Sequence, residues 1–112
     1  MNASARQARQ TIRTRTRSQR AASRINRRGN ASLTTHCIAA GLTPKEARTV
    51  ASSLRKNAAK AGVSGTVGIS YTKGRARQCT RYTATEVARI AVIYRPRKLA
   101  YRAAAAKLAL AA

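Results

Sequence analysis

From Pro44 to about Ala61 the apolar positions are Ala47, Val50, Ala51, Leu54, Ala58 and Ala61, in steps of three and four. That period gathers them on one face of a helix. Lys45, Arg48, Arg55, Lys56 and Lys60 take the other side, and Gly62 ends the run. Leu33 to Ala40 reads as a shorter helix closed by Gly41. Residues 63–83 change to Gly, Val, Ile, Thr and Tyr, which predicts a β-hairpin turning around Lys73-Gly74-Arg75-Ala76. Setting Val67 opposite Tyr82, Ile69 opposite Thr80 and Tyr71 opposite Gln78 puts Val67, Ile69, Tyr71 and Tyr82 on one face, toward a core. Arg77 and Arg81 then face solvent, whereas a one-residue slip would mix them with Val67 and Tyr71. A third helix starts at Ala84, is apolar nearly all round, and stops at Arg95-Pro96, so it is expected to be the most buried. A last helix runs from Arg97 to about Leu110, with Leu99, Ala103, Ala106 and Leu110 as its stripe. Its Ala-rich surface offers a place for the domain or for a second subunit to pack.

The first 28 residues carry no such pattern. Nine arginines (Arg6, Arg9, Arg13, Arg15, Arg17, Arg20, Arg24, Arg27 and Arg28) sit among Ala, Ser, Thr, Gln and Asn. Only Ile12 and Ile25 are large and apolar there, and no acid pairs the arginines. A like-charge block with little to bury is expected to stay disordered until something neutralises it. It reads as a flexible basic arm that turns helical on contact with nucleic acid.

Charge narrows the partners more than it narrows the fold. The chain of 112 residues has 24 Lys and Arg against 2 acids, a net charge of +22. Such a chain concentrates polyanions around itself. Arg outnumbers Lys, and its planar fork matches phosphate and guanine edges. Part of the Arg preference fits a GC-rich genome, but that does not account for the scarcity of acids.

The two acids have structural positions. Glu46 follows Thr43 by three residues and Glu86 follows Thr83 by three, each the spacing of a capping box. That leaves no carboxylate for acid–base chemistry or for a metal. Cys37 and Cys79 give no disulfide framework, and His36 next to Cys37 lacks further ligands at workable spacing. No Gly-rich phosphate loop or nucleophile–base pair is present. The reading is a non-enzyme without cofactor or metal. The apolar stretches are too short to span a membrane.

The segment Thr35-His36-Cys37-Ile38-Ala39-Ala40-Gly41-Leu42-Thr43-Pro44-Lys45-Glu46-Ala47-Arg48-Thr49-Val50 resembles a helix-turn-helix. Cys37 holds the small position before the turn glycine Gly41, and Ala47 and Val50 hold the apolar positions after it. With the hairpin as a wing, residues 31–82 resemble a winged-helix DNA-binding protein. They depart from that pattern in the length of the second helix and in having no clear helix ahead of the turn. The resemblance implies that Lys45, Arg48, Thr49 and Ser52 enter the major groove while Lys73, Arg75 and Arg77 touch phosphate or the minor groove. Two helices, a basic hairpin and a helix also resemble the histone-like architectural proteins. Arg75 lies between Gly74 and Ala76, however, so the hairpin tip has no wedge residue.

The expected class is α+β and mostly helical. It comprises a disordered basic arm (1–28) and a small nucleic-acid-binding domain (29–112) of two helices, a wing-like hairpin and two C-terminal helices. The leading expectation is a bacterial, phage or plasmid DNA-binding regulator or accessory factor. It would act in the cytoplasm at the nucleoid or within a virion, with the C-terminal helices available for a homodimer. Its contacts would come from the nine arm arginines, from Lys45, Arg48, Thr49 and Ser52, and from Lys73, Arg75, Arg77 and Arg81. The alternatives are an RNA-binding protein (antitermination or ribosome-associated) that uses the arm, and a virion packaging protein.

Overall fold

The computed structural model describes residues 2–110. Five helices and one two-stranded antiparallel hairpin follow in the order α1 (Ala3–Arg28), α2 (Leu33–Ala39), α3 (Pro44–Ala58), β1 (Thr66–Thr72), β2 (Arg75–Arg81), α4 (Ala84–Ile93) and α5 (Leu99–Leu110). The class is the α+β, mostly helical one that the residue pattern predicts.

The first 28 residues differ from expectation: they form a continuous helix, not a disordered arm. Asn2 caps α1 by accepting the Ala5 N–H at 2.8 Å, and Gly29 closes it in the left-handed region at φ 78 with its N–H on the Ile25 carbonyl. Between those caps there is no Gly or Pro, and Ala, Arg and Gln are strong helix formers. The helix also has something to bury, though little. Ala21 is buried, Thr14, Ser18, Ala22 and Ile25 are half-buried, and this C-terminal half packs on α2. Ser18 Oγ donates to the Ile38 carbonyl at 2.9 Å. A small contact of Ala and Ile can dock a helix that total hydrophobicity would leave free.

The core is small and centred on α3 and α4. Leu54, Ile90, Val50, Val87 and Cys37 are its largest fully buried side chains. Ala47, Ala51 and Ala58 let neighbouring helices approach α3 closely, on the stripe the sequence predicts. Both capping boxes are formed. Thr43 Oγ1 accepts the Glu46 N–H while Glu46 reaches back to the Thr43 N–H, and Thr83 and Glu86 do the same at α4. Glu46→Ala and Glu86→Ala are each expected to lower stability by roughly 0.5–1.5 kcal/mol, read from urea midpoints.

Two packing expectations are corrected. In α5 the buried residues are Ala104, Ala105 and Leu108, with Tyr101 half-buried, whereas Leu99 and Leu110 are 78 % and 84 % exposed. An Ala-rich helix carries two stripes of similar apolarity, and the one holding Tyr101 and Leu108 fits against α4. In the hairpin the pairs are Val67 with Thr80, Ile69 with Gln78 and Tyr71 with Ala76, two residues from the expected register. The turn is a two-residue Lys73-Gly74 link with φ 53 and 75, the double left-handed geometry that matches strand twist. A shift of two keeps each side chain on its predicted face, so Arg77 and Arg81 still oppose Ile69 and Tyr71. The expected core face is nevertheless open: Val67, Ile69 and Tyr71 are 71 %, 60 % and 79 % exposed. Of the four residues expected on that face, Tyr82 enters the core, through a bridge with Ala31. Among the described residues no helix covers the distal hairpin, so its alternation reflects two solvated faces.

At the hairpin's base, Gly65 adopts φ 69, and a Cβ there would lie 2.9 Å from the Arg81 carbonyl. Only glycine lets the chain enter β1 this close to the end of β2.

Candidate nucleic-acid interface

At about 100° per residue, Arg6, Arg9, Arg13, Arg17, Arg20, Arg24, Arg27 and Arg28 of α1 fall within an arc of roughly 100°. All eight are exposed; Arg15 alone points the opposite way. Steps of three and four bring successive members within a turn of each other. Like-charge neighbours at that spacing destabilise a helix by a few tenths of a kcal/mol each. The ridge is therefore an array of fixed cations whose repulsion a polyanion would relieve. The N-terminal half of α1 is almost wholly exposed, and Arg6, Arg9, Arg13 and Arg17 share a surface groove with Thr43, the N-cap of α3. The arginine ridge thus runs up to the start of the next basic helix.

On α3 the predicted residues Lys45, Arg48, Thr49 and Ser52 are all exposed, on the side away from the core. Arg55 and Lys56 extend the same surface by one turn. The sequence placed both on the basic back of this helix without assigning them to the site; the signal was the spacing of Arg55, seven residues after Arg48. α2 packs on α3, with Cys37, Ala47 and Val50 fully buried and Gly41 at φ 101 between the two helices. A helix does precede the pair, since α1 packs on α2.

Lys73, Arg75 and Arg77 are exposed on the hairpin. Arg81 is different. Its Nε donates to Asn30 Oδ1 at 2.8 Å, and its stem lies over Gly68, where a Cβ would come within 2.6 Å of it. Half-buried, this guanidinium ties the hairpin to the α1–α2 connection, so part of its donor capacity is already used. A groove beside the hairpin is lined by Arg55, Val67, Gln78, Thr80 and Tyr82, together with Leu33. Arg55 brings the flank of α3 to this groove, and Val67 brings the base of the exposed apolar row.

His36 belongs to the scaffold. It is 3 % exposed, and its Nε2 lies 2.7 Å from the Tyr82 carbonyl, which also accepts the Ala31 N–H. A carbonyl only accepts, so Nε2 carries the proton. Burial holds the His36 pKa below its ordinary 6.5, with the Tyr82 carbonyl opposing in part. A folded pKa below the unfolded one means that the unfolded chain binds more protons. Stability is therefore full above about pH 6.5 and is lost as pH falls from there through the lowered folded value. Thermal midpoints are expected to drop between about pH 7.5 and 5, and His36→Gln, which keeps a donor, is expected to flatten that drop.

Among the described residues, no group of three or more His, Cys, Asp and Glu is placed to hold a metal ion, and no helix is long and apolar enough to cross a membrane. Compared with protein-family models, characterised proteins and solved structures, the chain matches none of them.

Proposed function

We propose that this chain is a non-enzymatic DNA-binding protein that reads a duplex with α3 and grips its backbone with α1 and the hairpin. The observation that carries this reading is the arginine ridge: eight guanidinium groups on one face of α1, reaching the N-cap of α3. A helix gains nothing for its own stability from such a ridge. Phosphates spaced along a duplex are the ligand that satisfies it. On α3, Lys45, Arg48, Thr49 and Ser52 supply side chains of the kind that read base edges, with Arg48 able to hold a guanine in two hydrogen bonds. Lys73, Arg75 and Arg77 add contacts to the flanking backbone.

A pre-formed arginine helix also favours a second reading, in which α1 enters a structured RNA. The two separate in a binding experiment by fluorescence anisotropy across a salt series. The DNA reading expects a steep salt slope and tighter binding to duplex DNA than to duplex RNA. Equal binding to both would favour the RNA or packaging alternatives, and the absence of salt-sensitive binding to either would refute the proposal. Deleting residues 1–28 is a poor test, because it removes a packed helix and uncovers the surface of α2 around Ile38.

A further inference from the structure

We propose that the open apolar face of the hairpin takes unpaired nucleotides, with bases against Val67, Ile69 and Tyr71 and phosphates toward Arg55, which shares a groove with Val67. This rests on the nucleic-acid reading and names a second form of the same ligand. The three side chains alternate along β1, so they form one row, and each is at least 60 % exposed. Strands normally cover or charge such a face. The Val67 end of this row shares a groove with Arg55, and the chain as a whole carries a net charge of +22. The occupant must therefore be anionic as well as apolar on one side.

Two other occupants fit less well. A second copy would bring two chains of net charge +22 together, and three side chains cover far less than the roughly 800 Å² per partner that a stable interface buries. A paired duplex, even in a major groove about 12 Å wide that admits a two-stranded ribbon, offers polar base edges and phosphates and keeps the flat faces of its bases stacked inside. The hairpin tip, Lys73-Gly74, carries nothing apolar to insert. Unpaired bases, by contrast, expose flat π faces that stack on a tyrosine or pack on branched aliphatics. Tyr71 is 79 % exposed, whereas Tyr82 and Tyr94 are buried, which makes Tyr71 the aromatic ring most open to stacking.

The test compares a blunt DNA duplex with the same duplex carrying a single-stranded extension, using the full chain and the double variant Ile69→Thr with Tyr71→Ala. Both sites are exposed, so the variant is expected to keep its melting temperature. The parent chain is expected to bind the extended probe more tightly than the blunt one. The variant is expected to lose about tenfold in affinity for the extended probe while changing little on the blunt one. Equal losses on both probes, or none on either, would overturn the proposal. A change in sedimentation from dimer to monomer would overturn it too, by making the row a self-association face. Arg48→Ala with Arg55→Ala separates the two levels. If that pair weakens binding to the blunt duplex while the hairpin variant changes nothing, DNA binding stands and the groove assignment falls.

Discussion

Replacing Arg6, Arg9, Arg13 and Arg17 together by Gln is expected to weaken binding to duplex DNA by roughly 100-fold at moderate salt. The slope of log affinity against log salt is expected to become shallower by about 3–4 units if all four engage phosphate. Arg6, Arg9 and Arg13 lie in the N-terminal half of α1 and Arg17 at the start of the packed half, and all four are exposed. Gln keeps the helix propensity and removes only charge. Neighbouring cations no longer repel, so helix content is expected to hold or rise in circular dichroism. That combination separates loss of a ligand contact from loss of fold. An unchanged salt slope would show that the ridge does not meet phosphate, and the assignment of α1 to the interface would fail with it.

Leu54→Ala is expected to be the most damaging single truncation. Leu54 is fully buried at the centre of α3, where the neighbouring apolar residues of the helix are mostly alanine. A core built on small side chains has few atoms able to swing into a vacated space. The expected cost is about 3 kcal/mol or more, with a fall in melting temperature of roughly 10–20 °C. Surface-site variants such as Arg48→Ala, by contrast, are expected to stay within about 0.5 kcal/mol of the parent. A fall below about 1 kcal/mol for Leu54→Ala would mean that the helices close up around the gap. Calorimetry on both variants reads this contrast directly.

Those expectations rest on elements that were unequally visible in the residue pattern. Both capping boxes, the stripe of α3 and the existence of the hairpin were legible, because each depends on short-range chemistry: a Thr–Glu spacing, a helical period, a Lys-Gly turn. What needed the third dimension was coverage. Alternation along β1 distinguishes two faces, yet Val67, Ile69 and Tyr71 lie on an open one because, among the described residues, no helix reaches the distal hairpin. The α5 stripe was ambiguous for the same reason, since alanine on either side can be buried or bare. For α1 the signal was present but outweighed. The three- and four-residue steps of the arginines describe a helical face, but high charge with little apolar content argued for disorder. Ala21, Ile25 and the Ser18 hydroxyl are enough to dock it. At the interface, the exposure of Lys45, Arg48, Thr49 and Ser52 agrees with the pattern, whereas the grip of Asn30 on Arg81 pairs residues 51 positions apart and has no local signature.

The two free thiols sit in opposite surroundings. Cys37 is fully enclosed between helices, and burial pushes its thiol up to about 12. Cys79 lies half-buried on β2. The chain therefore carries its own pair of labelling clocks. An alkylating reagent meets Cys79 while the protein is folded and can meet Cys37 only when the helices part. The ratio of the two modification rates follows how often the core opens, and because no added probe is needed, it can be read with nucleic acid bound or absent.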